Sequence, residues 1–188
     1  MSDLVQSSRT FPSTPEGTVH ARHFRDVLGN FPTGVVVITA QGHDGEPEGM
    51  VIGSFTSVSL DPPMVSFLAD RGSNTFPKIR DAGHFAVNVL ASDQVGLCRT
   101  MAAKGPGRFR NVAWEPSANG APLLEGAVAW IECTMADLVD AGDHVIALGA
   151  VHDLRVVSKK VPLLFFRGGY GAFEPNASWL DDWFAGWG

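Results

Sequence analysis

Small hydroxyl side chains crowd two short stretches of the sequence: Ser54, Thr56, Ser57 and Ser59 stand around Phe55, and Ser73-Asn74-Thr75 follows soon after. Hydroxyls and backbone N–H groups at a strand end or a helix start can cradle a phosphate without many full charges. Composition alone supports a second reading equally well, in which the same serines and threonines line a solvated strand face. Patterns for other chemistry are missing. No Gly-x-Gly-x-x-Gly follows a strand, and neither a Walker loop nor a zinc-protease histidine pair occurs. His20 and His23 can share a helix face, but no zinc-type ligand set accompanies them, so they read as solvated surface histidines. Asp143 reads as a turn residue rather than a catalytic acid. Lys104, Arg108 and Arg110 make the segment around Gly105-Pro106-Gly107 locally basic, which suits either a loop that gathers phosphates or a solvated one. Lys78 and Arg80 admit the same two readings.

The elements that must position these residues are mostly strands. A helix is predicted from Val19 to Gly29-Asn30, because Phe24, Val27, Leu28 and Phe31 recur at spacings of three and four. Gly34-Val35-Val36-Val37-Ile38-Thr39 and the run from Gly49 to Ser59 form a hairpin pattern around Gly42, Asp44, Gly45 and Pro47. Asp61-Pro62-Pro63 ends the second run, since neither proline can donate to a ladder, and Met64 to Ala69 reads as a third strand. Ser73 or Asn74 caps a short helix through Arg80, with Gly83 behind it, and Phe85 to Leu90 resumes strand character. Ser92 or Asp93 caps another helix to about Ala103. Two long strands, Val128 to Val139 and His144 to Val157, flank the turn Asp140-Ala141-Gly142-Asp143, and Leu163 to Phe166 is a last run. Regular βαβ alternation is missing, so the fold class is mainly β: an antiparallel barrel with a few peripheral helices and a mouth able to hold a ligand.

Composition sets the outer limits. The 188 residues, 45% hydrophobic and 18% charged, suit one domain. A net charge of −6 is the wrong sign for a protein that neutralises nucleic-acid phosphates. The longest apolar stretches, such as Gly34 to Ala40, fall far short of the ~20 residues that span a bilayer. Met1-Ser2-Asp3-Leu4 lacks the features of a secretory signal, and Cys98 and Cys133 form no close-spaced pair, so both read as buried reduced thiols in a cytoplasmic protein. Residues 1–18 are expected to be a flexible arm, 19–173 the domain, and 174–188 a tail in which Ser178 caps a short helix bearing Trp179, Leu180, Trp183, Phe184 and Trp187. That aromatic face is expected to dock on the barrel or a dimer mate; a contact with a partner protein or a cover over the ligand site is the other option.

The ordered set Phe31-Pro32-Thr33-Gly34-Val35, Gly49-Met50, Ser54-Phe55-Thr56-Ser57-Val58-Ser59-Leu60-Asp61-Pro62-Pro63, Phe85-Ala86-Val87-Asn88-Val89-Leu90, Gly142-Asp143-His144 and Pro162-Leu163-Leu164-Phe165-Phe166-Arg167-Gly168 resembles the flavin reductase component of two-component flavin-dependent monooxygenases. The likeness runs over about residues 22 to 173. It implies an FMN-binding split barrel, a homodimer, that oxidises NADH or NADPH and passes reduced FMN or FAD to a separate flavin-dependent monooxygenase. It implies that Thr33 and the strand residues Gly53, Ser54, Phe55, Thr56 and Ser57 lie along the isoalloxazine and ribityl chain. It also implies that Ser73, Asn74 and Thr75 hold the phosphate, that Phe109 falls in a loop over the ligands, and that His144 meets the nicotinamide. Many relatives carry Thr-Ala-Asn where this chain has Val51-Ile52-Gly53, which leaves FMN against FAD open. Hydride transfer needs no protein nucleophile, in keeping with the missing constellations. The alternatives are an FMN-dependent oxidase of the pyridoxamine phosphate type, for which no paired-arginine motif is evident, and a non-catalytic flavin-binding module.

Overall fold

A computed structural model describes residues 19–174 apart from Pro106. The predicted arm and most of the tryptophan-rich tail lie outside the described residues. In chain order the elements are α1 (Ala21–Leu28), β1 (Thr33–Gly34), β2 (Val36–Gln41), β3 (Pro47–Ile52), β4 (Thr56–Leu60), β5 (Pro63–Asp70), α2 (Phe76–Ala82) and β6 (His84–Val89). A 3-10 turn (Ser92–Gln94) then runs into α3 (Val95–Ala102), followed by β7 (Trp114–Pro116), β8 (Pro122–Leu124), β9 (Ala129–Ala141), β10 (His144–Val156), β11 (Leu163–Phe166) and β12 (Gly169–Ala172).

Seven strands form one antiparallel sheet in the order β3-β2-β6-β9-β10-β5-β4. Strands β3 and β4 occupy opposite edges, yet only Gly53-Ser54-Phe55 connects them. So short a link reaches on the order of 14 Å at most. The two edges must therefore curl round to meet, and the sheet is a barrel split between β3 and β4. The run expected as one strand from Gly49 to Ser59 is thus two, broken where the chain crosses from edge to edge. Gly53 permits that crossing: a Cβ there would stand 3.0 Å from Thr33 Oγ1.

Alternate residues fill the barrel: Val36, Ile38 and Ala40 from β2, Val65, Phe67 and Ala69 from β5, Phe85 and Val87 from β6, Cys133 and Met135 from β9, Val145 and Ala147 from β10. Helix α2 stops one end with Phe76 and Ile79, and Phe67 meets Phe76 and Phe85 edge to face at 6.1 and 5.5 Å. Val35, Val37, Leu90, Cys98, Met101, Leu124 and Leu163 make a second cluster outside the barrel, where α3, β8 and β11 pack on it. Both cysteines are buried and free, and burial pushes the Cys133 thiol up to about 12.

Two small pairings went unpredicted, the β7–β8 hairpin and β12 against β11. Strands of three or four residues, punctuated by proline in one case and glycine in the other, carry too little alternation to register. Asn88 explains how β8 is fastened: its amide donates to Val37 O, Thr39 Oγ1 and Pro122 O and accepts from Leu124 N. Helix α1 forms where predicted, but Phe24, Val27, Leu28 and Phe31 are all more than half exposed. It is tied at its C-terminal end, where Arg167 N donates to Gly29 O and Arg167 Nε to Asn30 Oδ1.

Candidate functional site

The turn from β5 into α2 is built around Asp70 and Ser73. Asp70 Oδ1 accepts Gly72 N at 2.7 Å, and its carbonyl accepts Ser73 N at 3.0 Å. Ser73 Oγ then accepts the N–H groups of Thr75 and Phe76 at 3.2 and 3.1 Å, but the N-cap of α2 is Thr75 and not the expected Ser73 or Asn74, and the helix runs on past Arg80 to Ala82. Arg71, which no motif singles out, ties this turn to the β9–β10 hairpin. Its backbone donates to Asp143 O at 3.1 Å, Nε to Gly142 O at 3.0 Å, and its guanidinium pairs with Asp140.

A hydroxyl has two acceptor sites and one hydrogen. Both acceptor sites of Ser73 Oγ are filled by backbone N–H groups, and Thr75 Oγ1 accepts from Arg108 at 3.0 Å. Neither hydroxyl hydrogen has an acceptor among the described residues, and the Asn74 amide is exposed. Ser73 and Thr75 therefore have hydroxyl hydrogens to donate, the polarity an anion requires, and the Asn74 amide adds a donor beside its own acceptor oxygen. Of the two readings open from composition, the solvated strand face does not hold for these three, since they lie in a turn and not a strand.

The hydroxyls of the barrel crossing are placed differently. Ser54 Oγ accepts Leu68 N at 3.0 Å and donates to Leu68 O at 3.3 Å, so its side chain is spent pinning the crossing to β5. Phe55 packs against the barrel core. Gly53, Thr56 and Ser57 are exposed, Thr56 Oγ1 donating to Ser57 O, and Thr33 on β1 stands against Gly53. Since Ser54 sits at Leu68 and strands rise ~3.3 Å per residue, this group lies on the order of 10 Å from the Ser73 turn along β5.

His144 opens β10 directly opposite Asp70 and next to Ile146, which faces Leu68. Because Val145 and Ala147 point into the core, the His144 side chain projects on the outer face with Asp70 and Leu68. Its Nδ1 lies 2.7 Å from Asp143 Oδ1, and the hydrogen bond and charge of His144 hold the Asp143 carboxyl below its ordinary range. The structure thus brings His144, the Ser73 turn and the crossing onto one side of the barrel.

The Phe109 ring packs in the outer cluster, although its neighbour Arg108 reaches Thr75. That ring lies against Gly49, where an added Cβ would stand 3.1 Å from it, and it meets Trp114 edge to face at 6.4 Å within the outer cluster. Arg108 is not a solvated loop cation: Nη1 donates to Gly49 O at 2.6 Å and Met101 O at 3.3 Å, and Nη2 to Glu48 Oε2 at 3.2 Å and Thr75 Oγ1. Glu48 is buried and also pairs with Lys78, whose pKa is raised chiefly by that hydrogen bond. Sequence reasoning missed Glu48; a carboxylate within a hairpin strand otherwise facing inward was the available signal. His20 and His23 are exposed at the start of α1. Two clefts of about 570 and 590 Å³ lie elsewhere, beside α3 and the β7–β8 hairpin, and Arg108 borders the first.

Residues 28–174 match the family described as flavin reductase like domain. The chain is 51% identical over 150 residues to a flavin reductase of Pseudomonas putida, covering 80% of this chain and 88% of that one. It is 42% identical over 170 residues to the reductase subunit of a flavin-dependent monooxygenase of Mycobacterium tuberculosis, covering 87% and 90%. Among solved structures, an NADH:FAD oxidoreductase of Streptomyces globisporus in complex with NAD and FAD fragments superposes with a TM-score of 0.78 at 38% identity, covering 83% of this chain and 94% of that one.

Proposed function

The chain belongs to the flavin reductase-like family, and on that premise we propose that it is an NAD(P)H-dependent flavin reductase that supplies reduced flavin to a separate monooxygenase. The single observation that carries this reading at the site is the turn Ser73-Asn74-Thr75, whose two hydroxyl hydrogens are left to donate and which follows Asp70, the strand partner of His144. When bound, the nicotinamide and the flavin supply the hydride chemistry between themselves. The protein's part is to hold two rings in register and to keep them so.

On this reading Ser73, Asn74 and Thr75 donate to the flavin phosphate. Thr33, Gly53, Thr56 and Ser57 border the ring and ribityl chain, with Ser54 and Phe55 fixing the crossing that carries them. His144 presents Nε2 to the nicotinamide, since Nδ1 is engaged by Asp143. Phe109 acts over the ligands only if the loop bearing it leaves Gly49. The dinucleotide and FAD fragments named for the Streptomyces relative support NADH and FAD, with FMN and NADPH as the other choices. A homodimer completes the proposal, because Phe24, Val27, Leu28 and Phe31 about α1 are more than half exposed among the described residues.

Mixing purified protein with FMN or FAD and NADH, and following the nicotinamide absorbance in air, tests the function. Steady oxidation that requires added flavin is expected. A tightly held flavin that NADH cannot reduce would return the oxidase and the binding module, which the family does not favour, to consideration.

A further inference from the structure

We propose that Arg108 is a positioning residue for flavin recognition: it locks the Thr75 hydroxyl as a donor and so makes the chain distinguish a phosphorylated flavin from riboflavin, with Glu48 holding Arg108 in place. This rests on the reading of Ser73-Asn74-Thr75 as the phosphate segment. Each terminal nitrogen of a guanidinium carries two hydrogens, and all four here have acceptors: Gly49 O, Met101 O, Glu48 Oε2 and Thr75 Oγ1. The side chain is only 16% exposed. Arg108 therefore reaches a ligand through Thr75, not by a hydrogen bond of its own from those nitrogens.

The consequence for Thr75 is electronic as well as geometric. An arginine can only donate, so the Thr75 hydrogen cannot point back at it and is directed elsewhere. A cationic donor on the oxygen also polarises the O–H bond and strengthens it as a donor in turn. Three separate segments are needed to fix the guanidinium: β3 supplies Glu48 and the Gly49 carbonyl, α3 the Met101 carbonyl, and the turn before α2 the threonine. Glu48 is the buried anchor, drawing Lys78 to its other oxygen.

The test measures dissociation constants of FMN and riboflavin on the full-length protein by flavin fluorescence, with melting curves for each variant. Thr75→Val is expected to weaken FMN about tenfold while leaving riboflavin within about twofold, and Thr75→Ser to restore FMN. Arg108→Lys keeps a charge beside Glu48 but cannot span four acceptors, so it should weaken FMN several-fold by the same selectivity. Combined with Thr75→Val it should add nothing, because its effect passes through the hydroxyl. Glu48→Gln, which loosens Arg108 without removing it, should reduce the FMN preference and serves if Arg108→Lys does not fold. Full multiplication of the two losses in the double variant would overturn the inference by making Arg108 a direct phosphate contact. An unchanged FMN constant in both folded Arg108→Lys and Glu48→Gln, with Thr75→Val impaired, would overturn it while leaving the phosphate segment intact. If Thr75→Val leaves the FMN to riboflavin ratio unchanged, the phosphate reading itself fails. A raised KM for NADH with unaltered FMN binding would assign the segment to the pyridine nucleotide and overturn the flavin claim.

Discussion

His144 has one ring nitrogen committed to Asp143 and one left over, and it stands opposite Asp70 at the root of the Ser73 turn. A contact of that kind positions a ring without moving a proton. His144→Ala is expected to raise the KM for NADH or slow hydride transfer by roughly 1–3 kcal/mol while FMN affinity stays within about twofold. Wild-type NADH kinetics at subsaturating concentration, in a folded variant, would make the histidine structural. At the turn itself, the double variant Ser73→Ala, Thr75→Ala should weaken FMN by roughly 1–3 kcal/mol, the scale of lost hydrogen bonds to a charged group. Riboflavin should be much less affected, and an equal loss for both flavins would point to collapse of the turn, since Ser73 Oγ also holds the N–H groups of Thr75 and Phe76.

Among the elements, β10 carries the tightest constraint. Gly149 lies opposite Val65 and Met135, and a Cβ there would come within 2.4 Å of Phe85 Cζ, itself locked against Phe67. Gly149→Ala should therefore cost roughly 1–3 kcal/mol of stability through overpacking, read as a lower denaturation midpoint with an unchanged slope. An unaltered midpoint would mean the barrel wall yields more easily than close packing allows. The spans of α1, β2, β5, β6, β9 and β10 were legible because each is long enough to show its period, and β11 because Leu163 to Phe166 is an unbroken apolar run. The break at Gly53 was not, since Ser54 bonds Leu68 as a strand residue would and the hydroxyl pattern runs straight through it.

Among the described residues large apolar side chains stand exposed: Phe24, Val27, Leu28 and Phe31 about α1, Val58 and Leu60 on β4, Phe165 and Phe166 on β11. Soluble monomers seldom show so many, and a symmetric partner is the ordinary remedy. Sedimentation at micromolar concentration is expected to give a species near twice 20.1 kDa, and a purely 20.1 kDa species would refute the homodimer. Among the described residues no helix is long and apolar enough to cross a membrane.

The sequence alone determined the strand-rich order, the antiparallel barrel and the family resemblance, because period-two alternation, paired prolines and a two-residue glycine turn are local properties. It also named Ser73, Asn74, Thr75 and His144. Only the tertiary structure decided which hydroxyls remain free to bind. Ser54 and Ser73 look alike in sequence, yet one spends its oxygen and hydrogen on Leu68 while the other keeps its hydrogen. The Arg108–Thr75–Glu48 arrangement was invisible for the same reason: its members lie 27 to 60 residues apart, and hydrogen-bond satisfaction is settled by neighbours in space.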